Sequence, residues 1–260
     1  MSATDMSLHH VEEVMGTTVS IDIVDSHDRS LVDELVAWLH EVDEVFSPYK
    51  DDSIISRLGY GTLAPTDAVV GDDVREVLQR CGELCEATDG LFDVWSLPSP
   101  NGTSFDPCGY VKGWSVQRAA TLLADHGVVD FCLNAGGDVA LGGCNHDGAP
   151  WRVGVRHPTD PQAVAFVLEG IGPLAVATSA SYERGGHIVD PRSGRECTEL
   201  ASATVVGPDL AEADAYATVL YLMGADGLYW LAEQHGYTGA VITRDGQLIA
   251  ADAFNAYRAG

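Results

Sequence analysis

The sequence predicts a mixed α+β fold, in which largely antiparallel sheets pack against helices and the two kinds of element do not strictly alternate. Three observations indicate this class. Residues 30–46 and 71–88 carry apolar residues at helical spacing with acidic residues between them. Residues 19–24 (VSIDIV) alternate as a half-buried strand does. Residues 151–155 and 163–168 are interpreted as two strands of one antiparallel sheet.

The remaining elements follow the same criteria along the chain. We expect residues 1–10, which are polar, to be a disordered N-terminus, and residues 11–260 to form a single domain, because no repeat, low-complexity tract or linker divides them. Asp89-Gly90 ends the preceding helix, and residues 96–104 are rich in Pro, Gly and Ser and predict a loop. The further predicted helices are 53–58, 114–126, 210–223 and 229–235, and the further predicted strands are 128–133, 139–141, 174–178, 187–194 with a terminal turn, 204–206, 239–243 and 247–250.

The composition argues against some classes of partner. The chain has 260 residues, of which 46% are hydrophobic, and this is enough for a large core. Asp and Glu number 39 against 14 Lys and Arg, so the formal net charge is −25. Because such a surface repels nucleic acid and anionic membranes, we expect neither as a partner. Lys50 and Lys112 are the only lysines, so the surroundings of each are informative.

The cysteines and the N-terminal segment predict the compartment. The six cysteines form no CxxC pair and no zinc-type cluster, which is typical of free thiols in a reducing compartment. The first residues lack the basic and apolar regions of a signal peptide, and they lack a lipid-attachment cysteine. No apolar run reaches the length of a membrane span. We therefore expect a cytoplasmic protein without membrane insertion, of an oligomeric state that the sequence leaves open.

The predicted helix 210–223 combines an apolar composition with two polar side chains. Asp209 stands where an N-cap is expected, and Gly224 closes the helix. Asp214 and Thr218 are four residues apart and so share one face, where polar groups are costly unless they are satisfied. Two oxygen ligands on rigid backbone suit a hard cation such as Mg²⁺, completed by substrate phosphates. The alternative is structural: Thr218 bonds back to a helix carbonyl and Asp214 pairs with an arginine.

Three further polar segments each have a functional and a structural interpretation. Residues 134–138 (NAGGD) allow a ligand to approach the backbone closely, or they form a tight turn. Asp106 and Lys112 stand at the expected entrance to a helix. In the functional interpretation, the free N–H groups of the first turn and the lysine bind an anion. In the structural interpretation, the lysine is solvated. His187 is a general base near neutral pH, or a structural histidine.

Seven segments carry more information in combination than any of them does alone. They are MGTTVSI, FSPYKDDSIISRL, GLFDVW, DPCGYVKGWSVQRAA, NAGGDVALGG, ATSASYERGGHIVDPRSG and the ADAYAT helix. In this order, from about Met15 to about Gly224, they resemble the ApbE family of flavin transferases. The resemblance implies an ApbE-like (T-fold-like) architecture. It also implies Mg²⁺-dependent transfer of the FMN moiety of FAD to a Thr or Ser hydroxyl of a target flavoprotein, with release of AMP.

The resemblance also implies roles for individual residues. Asp214 and Thr218 match the family's metal-binding positions, and Gly109 matches the position whose backbone carbonyl completes the metal site. His187 matches the histidine that activates the acceptor hydroxyl, so the implied catalytic residues are His187, Asp214 and Thr218. The turn 134–138 is expected to shape the site. The positions that match contacts to FAD are Met15, Tyr49, Leu91, Phe92, Asp93, Asp106, Lys112 and Ile188, the last of them beside the flavin.

The sequence departs from the family pattern at three places. Pro107-Cys108 replaces the usual Leu-Gly or Leu-Ser, and Tyr110-Val111 replaces the usual Ile-Ala. Because the implied ligand at Gly109 is a backbone carbonyl, we expect it to be kept. Residues 179–181 read Ser-Ala-Ser where the family has Ser-Gly-Asp, so the family's substrate contacts are not carried over there.

Two alternative functions remain. In an FAD pyrophosphatase, water replaces the protein hydroxyl and the products are FMN and AMP. A non-catalytic flavin-binding protein would hold FAD without splitting it. The presence of Asp106, His187, Asp214 and Thr218 argues against the second alternative, because a carrier does not need them. The sequence does not decide between transferase and hydrolase.

Overall fold

The computed structural model describes residues 7–180 and 188–259, in which helices and strands are mixed as predicted. No helix in this part of the chain is both long enough and apolar enough to cross a membrane. The helices are α1 (Arg29–Phe46), α2 (Ile54–Gly59), α3 (Asp72–Ala87), α4 (Cys108–Asp125), α5 (Leu210–Met223) and α6 (Gly227–Ala232), followed by a 3₁₀ helix (Asp252–Tyr257). The strands are β1 (Leu8–Val14), β2 (Thr17–Ile23), β3 (Phe131–Ala135), β4 (Asp138–Gly142), β5 (Trp151–His157), β6 (Asp160–Gly170), β7 (Leu174–Ala180), β8 (Val189–Asp190), β9 (Arg195–Glu196), β10 (Leu200–Gly207), β11 (Thr238–Thr243) and β12 (Leu248–Ala250).

An eight-stranded sheet forms the centre of the fold. Its strand order is β1-β2-β3-β4-β7-β10-β11-β12, and all neighbouring strands are antiparallel. Strands β5 and β6 form a separate hairpin in which Val153 lies opposite Leu168, so the predicted pairing of these two segments is confirmed. Strands β8 and β9 form a second, very short hairpin.

The sheet separates two apolar layers. The helices cover one face, where Trp114 of α4 and Leu220 of α5 belong to the same core as Ile21 of β2. The β5–β6 hairpin and the 3₁₀ helix cover the other face, where the rings of Phe166 and Phe254 meet edge to face with centroids 5.7 Å apart. Helices α4 and α5 therefore lie side by side on one face of the sheet, and polar side chains between them are enclosed.

Two tight turns lie side by side at one end of the sheet. Met15 and Gly16 connect β1 to β2 with φ values of 54° and 67°, as a two-residue type I′ hairpin requires. Gly136 and Gly137 connect β3 to β4 with φ values of 61° and 105°. The N–H of Gly136 donates to the carbonyl of Thr18 at 3.2 Å, which joins the two turns.

The prediction of a disordered N-terminus over residues 1–10 is wrong for residues 8–10. These residues open β1, which pairs with β2 along its whole length, so that His10 lies opposite Ile21. The polar composition of the segment was misleading because an edge strand satisfies its backbone through its single neighbour while its outer side chains remain polar.

Helix α4 begins six residues earlier than the predicted start at residue 114. The carboxylate of Asp106 accepts the N–H of Cys108 at 2.9 Å and so satisfies one of the free donors of the first turn. The proline and glycine of DPCG favour a turn locally, whereas this hydrogen bond and the packing of α4 against α5 favour a helix. As a consequence, Lys112 lies within the helix rather than in front of it.

The predicted strand 187–194 is reduced to β8 in the described part of the chain. The chain turns directly after it, because the carboxylate of Asp190 accepts the backbone N–H of Arg192 at 2.8 Å and binds its guanidinium. The return strand β9 then pairs with β8. Helix α6 spans Gly227–Ala232, so it begins two residues and ends three residues before its predicted range of 229–235.

Helix α5 has the predicted bounds. The carboxylate of Asp209 accepts the N–H of Glu212 at 3.2 Å, which is the contact expected of an N-cap. Gly224 ends the helix with a φ of 73°. Because both signals are local, the sequence alone is sufficient to place this helix.

All six cysteines are free thiols, as their spacing predicts. Burial raises the pKa of Cys81 on α3 to about 12, and it raises the pKa of Cys132 on β3 to about 12. These two thiols are packing residues that stay protonated at neutral pH.

Candidate active site

Helices α4 and α5 touch at Gly113. A Cβ at this position would lie 2.6 Å from the carbonyl oxygen of Leu210 and 2.8 Å from the Cβ of Asp214. Only glycine therefore allows this approach. The N–H of Gly113 donates to Oδ2 of Asp214 at 3.2 Å. The close contact places a buried carboxylate of α5 against the N-terminal half of α4.

The side chain of Lys112 lies between two buried carboxylates. Its Nζ contacts Oδ2 of Asp138 and lies 3.6 Å from Oδ2 of Asp214. The three side chains are 14%, 1% and 6% exposed, so the interpretation of Lys112 as a solvated residue is wrong. The other oxygen of Asp138 accepts the N–H of Thr178 on β7 at 3.1 Å. One ammonium and two carboxylates give this cluster a formal charge of −1, which favours a further cation.

The second polar residue of α5 faces β7. Thr218 lies one helical turn after Asp214, and its hydroxyl is 3.1 Å from the hydroxyl of Ser179. Thr218 therefore contacts the sheet, a partner that the structural alternative of a bond back to a helix carbonyl does not include. In the described part of the chain, the cation beside Asp214 is the lysine of α4.

A cavity of about 530 Å³ lies on one side of the N-terminal half of α4. The β1–β2 turn, the end of α1 and the loop after it, and α4 form its walls. Met15, Tyr49 and Lys112, which are three of the predicted FAD contacts, line it. The sulfur of Met15 accepts a hydrogen bond from the hydroxyl of Ser115 at 3.7 Å, while the ring of Tyr49 is 81% exposed at the rim.

A second cavity, of about 240 Å³, lies on the other side of α4. Its walls are the loop after α3, the first turn of α4, helix α5 and the segment that contains β8. A Cβ at Gly109 would lie 3.9 Å from the ring of Phe92, so this ring packs on the first turn of α4. The predicted site residues that line this cavity are Leu91, Phe92, Asp93, Asp106, Gly109, Ile188 and Thr218.

Backbone contacts hold the loop after α3 in place beside α4. The N–H of Asp106 donates to the carbonyl of Val94 at 2.8 Å, so the two ends of the loop are joined. The carboxylate of Asp93 accepts the N–H of Trp95 at 2.9 Å and the hydroxyl of Ser96 at 2.6 Å. Asp93 thus lines the cavity while its carboxylate stabilises the loop.

An ion pair fixes the first turn of α5. Arg80 of α3 donates through Nε and Nη2 to the two oxygens of Glu212 at 2.7 and 2.6 Å, and these bonds raise the pKa of the Arg80 guanidinium. The hydroxyl of Tyr110 lies 3.5 Å from the same carboxylate, and burial raises the pKa of Tyr110. Glu212 precedes Asp214 by two residues, so this clamp sets the position of the helix that carries it.

Replacing Arg80 by alanine should lower the free energy of unfolding by about 1–3 kcal/mol, because the carboxylate of Glu212, only 17% exposed, loses its bidentate partner. Urea denaturation at neutral pH measures this change. Arg152→Ala is the matched control, because the Arg152–Glu169 pair is 62% and 40% exposed and should contribute less than about 0.5 kcal/mol. Equal losses in the two variants would contradict the prediction.

The predicted site residues that the structure describes lie around α4 and the facing turns of α5. The larger cavity is lined by Met15, Tyr49 and Lys112. The smaller cavity is lined by Leu91, Phe92, Asp93, Asp106, Gly109, Ile188 and Thr218. Asp214 lies beside Lys112. His187 lies outside the described residues.

The sequence pattern does not reveal the contacts of three residues at this site. Asp138 opens β4 instead of lying in a turn that spans 134–138, and it joins Lys112 to β7. Gly113 allows the two helices to touch, and Ser179 meets Thr218. The sequence signal for Asp138 is an aspartate directly before the apolar run Val139 to Leu141, since an aspartate that becomes buried there requires a partner.

The predicted metal ligands are all oxygen atoms. They are the carboxylate of Asp214, the hydroxyl of Thr218 and the backbone carbonyl of Gly109. No group of three or more His, Cys, Asp and Glu side chains arranged to hold a metal occurs in residues 7–180 and 188–259. A mixed oxygen set beside a cluster of formal charge −1 fits Mg²⁺, which takes oxygen ligands, few of them from the protein, and completes its shell with phosphates and water.

The fold and the site define a mixed α+β protein with two cavities that flank α4, beside a cluster of buried carboxylates, a lysine and hydroxyl groups. The chain belongs to the ApbE family, whose sequence profile matches residues 15–99 and 94–242. It is 30% identical to the FAD:protein FMN transferase of Escherichia coli strain K12, over 90% of this chain and 83% of that protein. It is 28% identical to the FAD:protein FMN transferase of Vibrio cholerae, over 84% of this chain and 82% of that protein.

Solved structures show the same fold. The flavin transferase ApbE from Vibrio cholerae superimposes with a TM-score of 0.80 at 25% identity, over 96% of this chain and 99% of that one. The ApbE protein from Thermotoga maritima superimposes with a TM-score of 0.84 at 21% identity, over 98% of this chain and 100% of that one. The predicted ApbE-like α+β architecture is confirmed.

Proposed function

We propose that this chain is an FAD:protein FMN transferase. In this proposal it moves the FMN moiety of FAD to a Thr or Ser hydroxyl of an acceptor flavoprotein and releases AMP. The observation that carries the proposal is the arrangement of the family's FAD-contacting positions on two cavities that flank α4, next to the pair formed by Lys112 and Asp214. The relatives that bear this activity in their names, among them one that is 30% identical over 90% of this chain, support it.

The two cavities suit a dinucleotide. FAD carries two ring systems joined by a pyrophosphate, and the two cavities lie on either side of one helix. In the proposed binding mode each cavity takes one ring system, and the pyrophosphate passes the first turns of α4. There the positive end of the helix dipole and the ammonium of Lys112 attract the phosphate oxygens.

Asp214, Thr218 and the carbonyl of Gly109 would hold Mg²⁺, which when bound neutralises the pyrophosphate and stabilises the departing AMP. The protein's own groups supply the positioning. Gly113 donates to Asp214 and so orients its carboxylate, while Ser179 orients the hydroxyl of Thr218. Catalysis of phosphoryl transfer consists mainly of such positioning and charge neutralisation.

The transfer step exchanges one bond for another at the FMN phosphorus. The acceptor hydroxyl oxygen forms a bond to this phosphorus, the bond from the phosphorus to the bridging oxygen breaks, and AMP leaves with that oxygen. His187 takes the hydroxyl proton. This role is supported by the match of HIVDPRSG to the family and by Ile188, the next residue, which lines the smaller cavity.

Co-expression with a flavoprotein subunit that carries a Thr or Ser flavinylation site tests the proposal. Mass spectrometry of the purified subunit should show one added FMN, linked through a phosphoester. An acceptor that stays unmodified, although the purified protein binds FAD, would contradict the proposed transfer. Rapid release of AMP from FAD and Mg²⁺ without an acceptor would indicate the pyrophosphatase instead. Bound FAD that is never split, with or without metal, would indicate a flavin-binding protein.

Replacing His187 by alanine should slow transfer by about 10²–10⁴-fold, which is the usual contribution of a general base. The affinity for FAD should stay nearly unchanged, because the proposed role of this side chain is toward the acceptor. Single-turnover transfer, followed by mass spectrometry, measures the first effect, and fluorescence titration measures the second. His235→Ala, at an exposed histidine beyond α6, is the control. Transfer at the normal rate in His187→Ala would remove His187 from the mechanism.

A further inference from the structure

Lys112 is shared unequally between its two carboxylates. Its ammonium contacts Oδ2 of Asp138, whereas the distance to Oδ2 of Asp214 is 3.6 Å, beyond a hydrogen bond. Asp138 and Asp214 approach it from different elements, the sheet and α5. The ammonium of Lys112 therefore lies closer to the sheet than to α5, the helix that carries two of the three candidate metal ligands.

The surroundings hold both carboxylates in place independently of the lysine. The second oxygen of Asp138 accepts the N–H of Thr178, so Asp138 is tied to β7. Asp214 accepts the N–H of Gly113 through the oxygen nearest to Lys112. The long side chain of Lys112 is the mobile member of the cluster, because the other partners are attached to backbone through short side chains.

We propose that Asp138 is a positioning residue that holds the ammonium of Lys112 away from Asp214, and that Lys112 and a divalent cation compete for the Asp214 carboxylate. This inference rests on the proposed function, which places the cation at Asp214. The lysine acts as the internal counter-ion of the buried carboxylate while the cation is absent.

The two partners of this contact have opposite effects on cation binding. Without the charge of Asp138, the ammonium has Asp214 as its remaining carboxylate, and a small rotation brings it from 3.6 Å into hydrogen-bond distance. It then occupies an oxygen that the cation needs. Without the ammonium, the cluster changes from a formal charge of −1 to −2, and it attracts a divalent cation more strongly. A purely structural cluster would lose cation affinity in both cases.

Binding of Mn²⁺ to the full chain without FAD, measured by electron paramagnetic resonance, tests this inference. Asp138→Asn should weaken Mn²⁺ binding by about tenfold or more, and Lys112→Met should strengthen it by about tenfold or more, as expected of a charge beside a carboxylate. The double variant should bind Mn²⁺ with close to the wild-type affinity, because it lacks both the competing ammonium of Lys112 and the carboxylate of Asp138 that holds it. Weaker binding in both single variants, or no change in either, would overturn the proposal.

Two controls make the same changes of charge at an exposed ion pair, and the first of them lies on the same helix as Lys112. Arg118→Met removes a cation from α4, and Asp73→Asn removes its carboxylate partner on α3, in a pair that is 47% and 43% exposed. Both should bind Mn²⁺ within about twofold of the wild type. If Asp138→Asn does not fold, the Mn²⁺ affinities of Lys112→Met and of the double variant test the proposal. If Lys112→Met folds only with Mn²⁺, its melting temperature should rise with added Mn²⁺ by more than that of the wild type. A rise equal to or smaller than that of the wild type would contradict the proposal.

Asp214→Asn separates this inference from the proposed function. If it binds Mn²⁺ as the wild type does, the cation site at Asp214 is wrong, and the inference falls with it. If Asp214→Asn abolishes binding while Asp138→Asn and Lys112→Met leave it unchanged, the cation site stands and only the role of Asp138 and Lys112 is wrong.

Discussion

Replacing Asp214 by asparagine should reduce the rate of FMN transfer by on the order of 10²–10³-fold at physiological Mg²⁺, the usual cost of removing one charge-stabilising group from an active site. The side chain is 6% exposed and faces the N-terminal half of α4. Asparagine keeps the shape and an acceptor oxygen for the N–H of Gly113, but it removes the negative charge that a cation requires. The loss should therefore be chemical rather than structural.

One measurement and one control variant test this expectation. Transfer to the acceptor subunit, followed by mass spectrometry at increasing Mg²⁺, should show partial recovery at high Mg²⁺, because the variant has a weaker site rather than none. Asp226→Asn is the matched control, since Asp226 is exposed and its side chain makes no cap hydrogen bond. If the variant of Asp214 keeps the wild-type rate and metal dependence, Asp214 does not belong to the site.

Replacing Gly113 by alanine should lower the free energy of unfolding by about 1–3 kcal/mol, because the added methyl group overpacks the contact between α4 and α5. Its nearest neighbours, at 2.6 and 2.8 Å, are the carbonyl of Leu210 and the Cβ of Asp214, and neither is the end of a flexible side chain. The two helices must separate, which displaces the Asp214 carboxylate. A displacement of about 1 Å is enough to cost roughly 10²-fold in rate.

Gly82 provides the control for helix propensity. It lies inside α3, where an added Cβ would approach Trp95 no closer than 3.9 Å. Gly82→Ala should therefore stabilise the protein by up to about 1 kcal/mol, since alanine is the better helix former. Chemical denaturation measures the free energy of unfolding of the two variants. It should fall in Gly113→Ala and rise in Gly82→Ala if close packing requires a glycine at position 113. A stabilised Gly113→Ala protein with normal transfer would show that the helix contact is not tight.

The features that the sequence determines by itself are local ones. Helix α5 begins and ends as predicted because Asp209 caps it and Gly224 closes it, and both signals lie within one turn of the helix they bound. The pairing of β5 with β6 follows in the same way from alternation within neighbouring segments. The positions of Asp214 and Thr218 on one buried helix required only its period and its apolar composition.

The features that only the tertiary structure decides are contacts between segments far apart in the chain. His9 and His10 are polar and belong to a strand because β2 is there to pair with them. Helix α4 starts before its predicted residue because Asp106 accepts the N–H of Cys108 in its first turn and α5 packs along it. Lys112 lies between Asp138 and Asp214 because sheet register and helix packing bring three elements to one point. Periodicity and capping describe the chain one turn or one strand at a time, whereas the partner of a buried charge depends on where the other elements pack.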